Sequence, residues 1–211
     1  MAGPLTKNFG YSFLGTIVPG ILSFLFIPFI VNLFSEAAYA QYSLAVNALN
    51  VVVLFCYGWV GQSYIRFYSR FEASFYSTAK QLLAKSLWIG LPAFIAAELF
   101  FARSAWGYVL MLVPAFFLLG NYNFFLLTCQ AQQKTIWVAW SESVRACLNI
   151  GLPLILYFIF GKIYAFEILV FSLTAAHLLP LLLFAHKVRP PGQDNPGQEG
   201  KDITAKAIRQ Q

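Results

Sequence analysis

Six long apolar runs fill most of this chain: Tyr11–Phe34, Tyr42–Tyr64, Leu82–Ala102, Ala105–Thr128, Ile136–Phe160 and Ile163–Ala185. At 1.5 Å per residue, a helix of about 20 residues crosses the roughly 30 Å hydrocarbon core of a bilayer, and every run is that long. The runs are continuous, unlike the short alternating segments of a transmembrane barrel. The expected fold is therefore all-α, a polytopic transmembrane bundle of six spans. Only 10% of the 211 residues are charged, against about 25% in a soluble domain. Too little polar surface is available to cover a globule in water, so the expected solvent partner is the lipid bilayer.

Charge orients the spans. One set of connections carries Lys7, Arg66, Arg70, Lys80, Lys134, Lys187 and Arg189, with Lys85 and Arg145 just inside adjoining spans; the opposite set carries Arg103 and Lys162. The positive-inside rule places both termini in the cytoplasm. The net charge of +6 then reads as loop anchoring, with no nucleic acid partner implied. Residues 1–10 form a short cytoplasmic N-terminus and 11–186 a six-helix lobe. Residues 187–211, rich in Pro, Gly, Gln and charge, read as a flexible cytoplasmic tail or interlobe linker. Between the second and third spans, Ile65–Gln81 mixes Tyr64, Phe67, Tyr68, Phe71, Phe75 and Tyr76 with basic residues, and is expected to lie as a loop in the headgroup region. Ala38-Tyr39-Ala40 has the look of a signal cleavage site, but the preceding run is too long for a signal core and holds Pro19 and Pro28, so a retained span is expected.

Prolines punctuate five of the six runs: Pro19, Pro28, Pro92, Pro114, Pro153 and Pro180. Each leaves a backbone carbonyl without its helical donor, a cost of several kcal/mol in lipid unless a neighbour satisfies it. Simple anchors have little reason to carry that cost; helices that bend or line a wet cavity do. Bends are expected at Pro19, Pro92 and Pro153, with Gly90 and Gly151 nearby allowing close packing. Polar residues within the spans point the same way. They include Asn47, Asn50 and Gln62 in the second, Asn121 and Asn123 in the fourth, and Glu167, Ser172, Thr174 and His177 in the sixth. In the fifth, Glu142, Arg145 and Asn149 fall at i, i+3 and i+7 on one helical face, a stripe expected to face an internal aqueous cavity. Glu98, Glu167 and Arg103 lie near the outer interface and are expected to act as anchors or local pairs.

Sequence signatures of catalysis are missing: there is no HExxH, P-loop, GxSxG or clustered carboxylate set. Cys56, Cys129 and Cys147 share no metal-like spacing and read as small buried hydrophobes. The expectation is a non-enzyme with no metal and no cofactor.

The opening stretch carries three further features. They are a first span ending PFIVNLF, a turn leading to YAQY, and a second span closing at Gly61–Phe67 with GxxxxIRF; CQAQQKT, Cys129–Thr135, precedes the fifth span. In this order they resemble the N-terminal half of the Wzx-like oligosaccharide flippases, the polysaccharide biosynthesis branch of the MATE-type exporter superfamily. The resemblance implies one lobe of a two-lobed transporter that flips polyprenyl-diphosphate-linked oligosaccharide across the membrane, as in lipopolysaccharide and O-antigen biosynthesis. It implies a second six-helix lobe as partner, from the same gene product or a dimer mate. Arg145 and Arg66 become candidates for the diphosphate, their forked donors suiting phosphate, with Glu142 and Asn149 beside Arg145 in the cavity. The first span has no Asp or Glu, so cation coupling is not implied. Two alternatives stand: a drug or small-solute exporter lobe of the same superfamily, and a non-transporting scaffold or enzyme of lipid-linked sugar metabolism.

Overall fold

The computed structural model describes residues 4–100, 106–161 and 163–187. Arg103, Lys162, the tail 188–211 and the side chains of Lys7, Arg70, Phe71 and Lys187 lie outside the described residues. Five α-helices follow one another: α1 (Pro4–Leu33), α2 (Glu36–Phe100), α3 (Trp106–Ala131), α4 (Thr135–Phe160) and α5 (Ala165–Phe184), with a single 3₁₀ turn at Ala185–Lys187. They supply six segments long and apolar enough to cross a membrane: Gly15–Leu33, Glu36–Tyr68, Phe75–Phe100, Trp106–Ala131, Thr135–Phe160 and Ala165–Phe184. The protein is thus an all-helical, multi-pass membrane protein. Phe24, Phe55, Ile89 and Phe158 are each 78% exposed; side chains of that size on a bundle surface are stable against lipid, not water.

Helix α2 counts twice because it folds back on itself. Ser86 Oγ donates to the Cys56 carbonyl at 2.7 Å although the two are 30 positions apart; in a straight helix they would be separated by about 45 Å. The rings of Phe67 and Phe75, eight positions apart, lie 5.8 Å from each other, so the chain reverses between them; the outgoing arm is Glu36–Tyr68 and the return arm Phe75–Phe100. The expected headgroup loop Ile65–Gln81 is therefore replaced by the helical ends of this hairpin. Its aromatics pack together instead of spreading over lipid: the fully buried Tyr64 stacks on Phe75 at 6.1 Å and meets Phe124 of α3 at 5.2 Å. Burying these large faces against one another outweighs laying them singly in the interface.

The turns explain the boundaries. Ser35 Oγ accepts the Ala38 N–H at 3.2 Å and Glu36 occupies the first turn, an N-cap that lets α2 start within two residues of α1. Helix α3 ends in a Schellman motif: Lys134 N–H donates to Cys129 O and Gln133 N–H to Gln130 O, with Gln133 at φ 56°. Helix α4 stops at Gly161, φ +71°, where glycine carries no Cβ penalty.

Packing is closest for α1 on α4, α4 on α5, α5 on α3, and α3 on α2. Gly15 makes the first of these possible, since a Cβ there would come 2.9 Å from the Ala139 Cα. Gly90 lets the hairpin arms close, with Cys56 Sγ filling its Cβ position, and Gly120 accepts the Leu87 side chain. Gly151, by contrast, faces open space and makes no close packing. Pro19, Pro28, Pro92, Pro114, Pro153 and Pro180 all lie inside helices. Pro19, Pro153 and Pro180 are buried, whereas Pro28, Pro92 and Pro114 are exposed. Cys56 and Cys129 are buried as expected, but Cys147 is exposed.

Candidate functional site

Helices α1 and α4 meet α2 and α3 only lightly, and a cavity of about 470 Å³ lies in the space between them. That volume is within the ~300–1,000 Å³ range of small-molecule pockets. Helix α4 contributes Glu142, Arg145 and Asn149, the stripe expected from sequence spacing. Arg145 stands about 15 Å along α4 from Thr135, roughly the middle of a span. The outgoing arm of α2 adds Tyr39, Tyr42, Asn47 and Asn50; α3 adds Tyr122 and Asn123; α5 adds His177. Phe26 of α1 closes one side. Asn47 and Asn50 are exposed while Tyr122 and His177 are buried, so the mouth runs along the outgoing arm and the floor is formed by α3 and α5.

A short polar chain occupies the floor. Tyr122 Oη donates to Glu142 Oε1 at 2.9 Å, and Arg145 Nη2 donates to Glu142 Oε2 at 2.5 Å. Both carboxylate oxygens are thereby satisfied, which is what a half-buried carboxylate inside a membrane requires. Glu142 does not snorkel to the interface; it reaches sideways to α3. Arg145 keeps its Nε buried without an acceptor. His177 Nδ1 lies 2.8 Å from the Leu173 carbonyl. A carbonyl only accepts, so Nδ1 carries the hydrogen, and the neutral ring has its lone pair on Nε2. The His177 ring meets Tyr122 edge-on at 5.2 Å. With Arg145 paired to Glu142, these two opposite charges offset each other within the cavity.

Other candidates lie elsewhere. Arg66 is exposed at the end of the outgoing arm, in a shallow surface depression with its chain neighbours Gln62, Ser63, Ile65 and Phe67, and is not brought into the cavity with Arg145. Asn121 is exposed and donates to the Phe117 carbonyl at 2.8 Å. None of Pro19, Pro92 and Pro153 lines the cavity. Pro153, however, deprives the Asn149 carbonyl of its helical donor, on a residue that does. Glu98 is fully buried, deeper than an interfacial anchor. Tyr122 is a cavity residue that no sequence pattern singles out; Tyr39 and Tyr42, the tyrosines of the YAQY phrase, line the cavity too. Comparison with known protein families, curated proteins and solved structures gives no match to this chain.

Proposed function

We propose that the chain is a transport lobe whose cavity holds the glycan part of a lipid-linked oligosaccharide while its lipid tail stays in the bilayer. One observation carries this reading: amide, phenol and imidazole groups from α2, α3, α4 and α5 converge on one polar cavity at mid-span depth, where the described charges are paired. Sugar hydroxyls take hydrogen bonds from amides such as Asn47, Asn50, Asn123 and Asn149, and sugar C–H faces pack on the rings of Tyr39, Tyr42 and Tyr122. A cationic drug finds no unpaired carboxylate among the described residues of the cavity, which supports this reading over a drug exporter. The diphosphate of such a substrate has to draw Arg145 away from Glu142 to be held in the same place. Fewer rearrangements are needed if the cavity takes the sugars alone. A second six-helix lobe, from the same product or another copy, would complete the path across the membrane.

The test is transfer of a polyprenyl-diphosphate oligosaccharide bearing a fluorescent sugar across reconstituted vesicles, read by loss of signal to an external quencher. Transfer should exceed that of protein-free vesicles and fall about ten-fold for Asn149→Leu or Asn123→Leu, the cost of about one good hydrogen bond to a sugar hydroxyl. Transfer no faster than in protein-free vesicles, with or without a second copy of the lobe, overturns the proposal.

A further inference from the structure

A second concavity lies on the opposite face of α3. It is a groove of about 340 Å³ whose walls are Tyr76 and Lys80 of the return arm, Phe117, Phe124 and Thr128 of α3, and Leu181 of α5. From Phe117 to Thr128 it runs about 16 Å along α3, close to half the roughly 30 Å hydrocarbon thickness. It is therefore the length of one leaflet, and it opens outward to lipid, away from the central cavity.

The groove has a polarity. Its Thr128 end lies toward the α2 reversal, the α3–α4 turn and the end of α5, which topology puts on one side of the membrane. The described cations Arg66, Lys80 and Lys134 gather on this side. Lys80 is exposed and makes no ion pair among the described residues. Asn121, beside it in the groove, gives one of its two amide N–H groups to the Phe117 carbonyl. Lys80 is left as the cation on an otherwise aromatic and aliphatic wall, with a stem long enough to carry its ammonium toward the headgroup level.

We propose that this groove is a binding site for an anionic phospholipid of the leaflet that faces the α3–α4 turn. One acyl chain lies along Phe117, Phe124 and Leu181, and the headgroup phosphate pairs with Lys80. A zwitterionic lipid offers the same chain but brings its own ammonium against Lys80 and its basic neighbours, so net headgroup charge sets the preference. The site is independent of what the central cavity carries.

Native mass spectrometry of the full chain in detergent, with phosphatidylglycerol and phosphatidylethanolamine of matched chains at equal concentration, tests it. Phosphatidylglycerol should be retained about five-fold over phosphatidylethanolamine, as one lysine near a headgroup supplies. Lys80→Gln should bring the ratio near one, whereas Lys85→Gln, a control on the same arm outside the groove, should leave it unchanged. Leu118→Trp, which fills the end of the groove away from Thr128, should lower retention of both lipids. Equal retention by the wild-type chain, an unchanged ratio in Lys80→Gln, or a dimer that forms in place of lipid adducts would each overturn the proposal.

Discussion

Among single residues, Glu142 and Arg145 depend on each other more than on the rest of the bundle. Removing the arginine leaves a carboxylate in a membrane interior with only Tyr122 to answer it. Arg145→Ala should therefore lower the thermal unfolding midpoint in detergent more than Arg145→Ala and Glu142→Ala combined. A double-mutant cycle should give a coupling of about 1–3 kcal/mol; additive effects would mean that the pair is not formed. At the α3–α4 turn, Gln133 holds a left-handed conformation that costs a side-chain-bearing residue about 1–2 kcal/mol. Gln133→Gly should raise stability by up to about 1 kcal/mol, less what glycine gains in the unfolded chain, and Gln133→Val should lower it. The stripe of Glu142, Arg145 and Asn149 was legible because helical spacing alone puts those three on one face. Tyr122 was not. A tyrosine in an aromatic-rich span looks like packing, and its partner is on another helix, which only tertiary structure supplies. Arg66 lies outside the cavity, and sequence does not reveal this for the complementary reason: a cation at a helix end and one inside a cavity look the same in sequence.

For the helices, glycine proves a better guide to contact than proline. A methyl group at Gly15 would have to push α1 off the Ala139 backbone, while one at Gly20 meets nothing within 4 Å. Gly15→Ala should lower the unfolding midpoint and Gly20→Ala should leave it unchanged or raise it slightly, since alanine favours helix over glycine by about 1 kcal/mol. Equal behaviour of the two would count against the close α1–α4 contact. The folded-back α2 has a direct chemical check. A Cβ at position 90 would lie 3.7 Å from Cys56 Cβ, inside the 3.5–4.5 Å range of disulfides. Gly90→Cys, with Cys129 and Cys147 replaced by serine, should form an intramolecular disulfide on mild oxidation, seen as loss of both free thiols. The six spans were legible from apolar run length, but the hairpin's helical ends were not. A stretch mixing aromatic and basic residues has the composition of an interfacial loop, and the stacking of Tyr64 on Phe75 and Phe124 that closes it is a contact between distant positions.

On the scale of the whole molecule, the membrane class followed from composition and the cavity from polar residues inside apolar spans. Which helices would border that cavity did not, because it depends on packing that sequence order conceals. Helix α1 rests on α4, α2 rests on α3, and α5 touches both pairs. Mechanically these are two plates joined along α5. A tilt of one plate against the other would leave the α1–α4 and α2–α3 seams intact and widen the cavity between them. Tyr122 belongs to one plate and Glu142 to the other, and their 2.9 Å hydrogen bond spans the gap. That bond is the latch: it must open before the plates can separate at this depth, and a phenylalanine in place of Tyr122 would leave them free to rock.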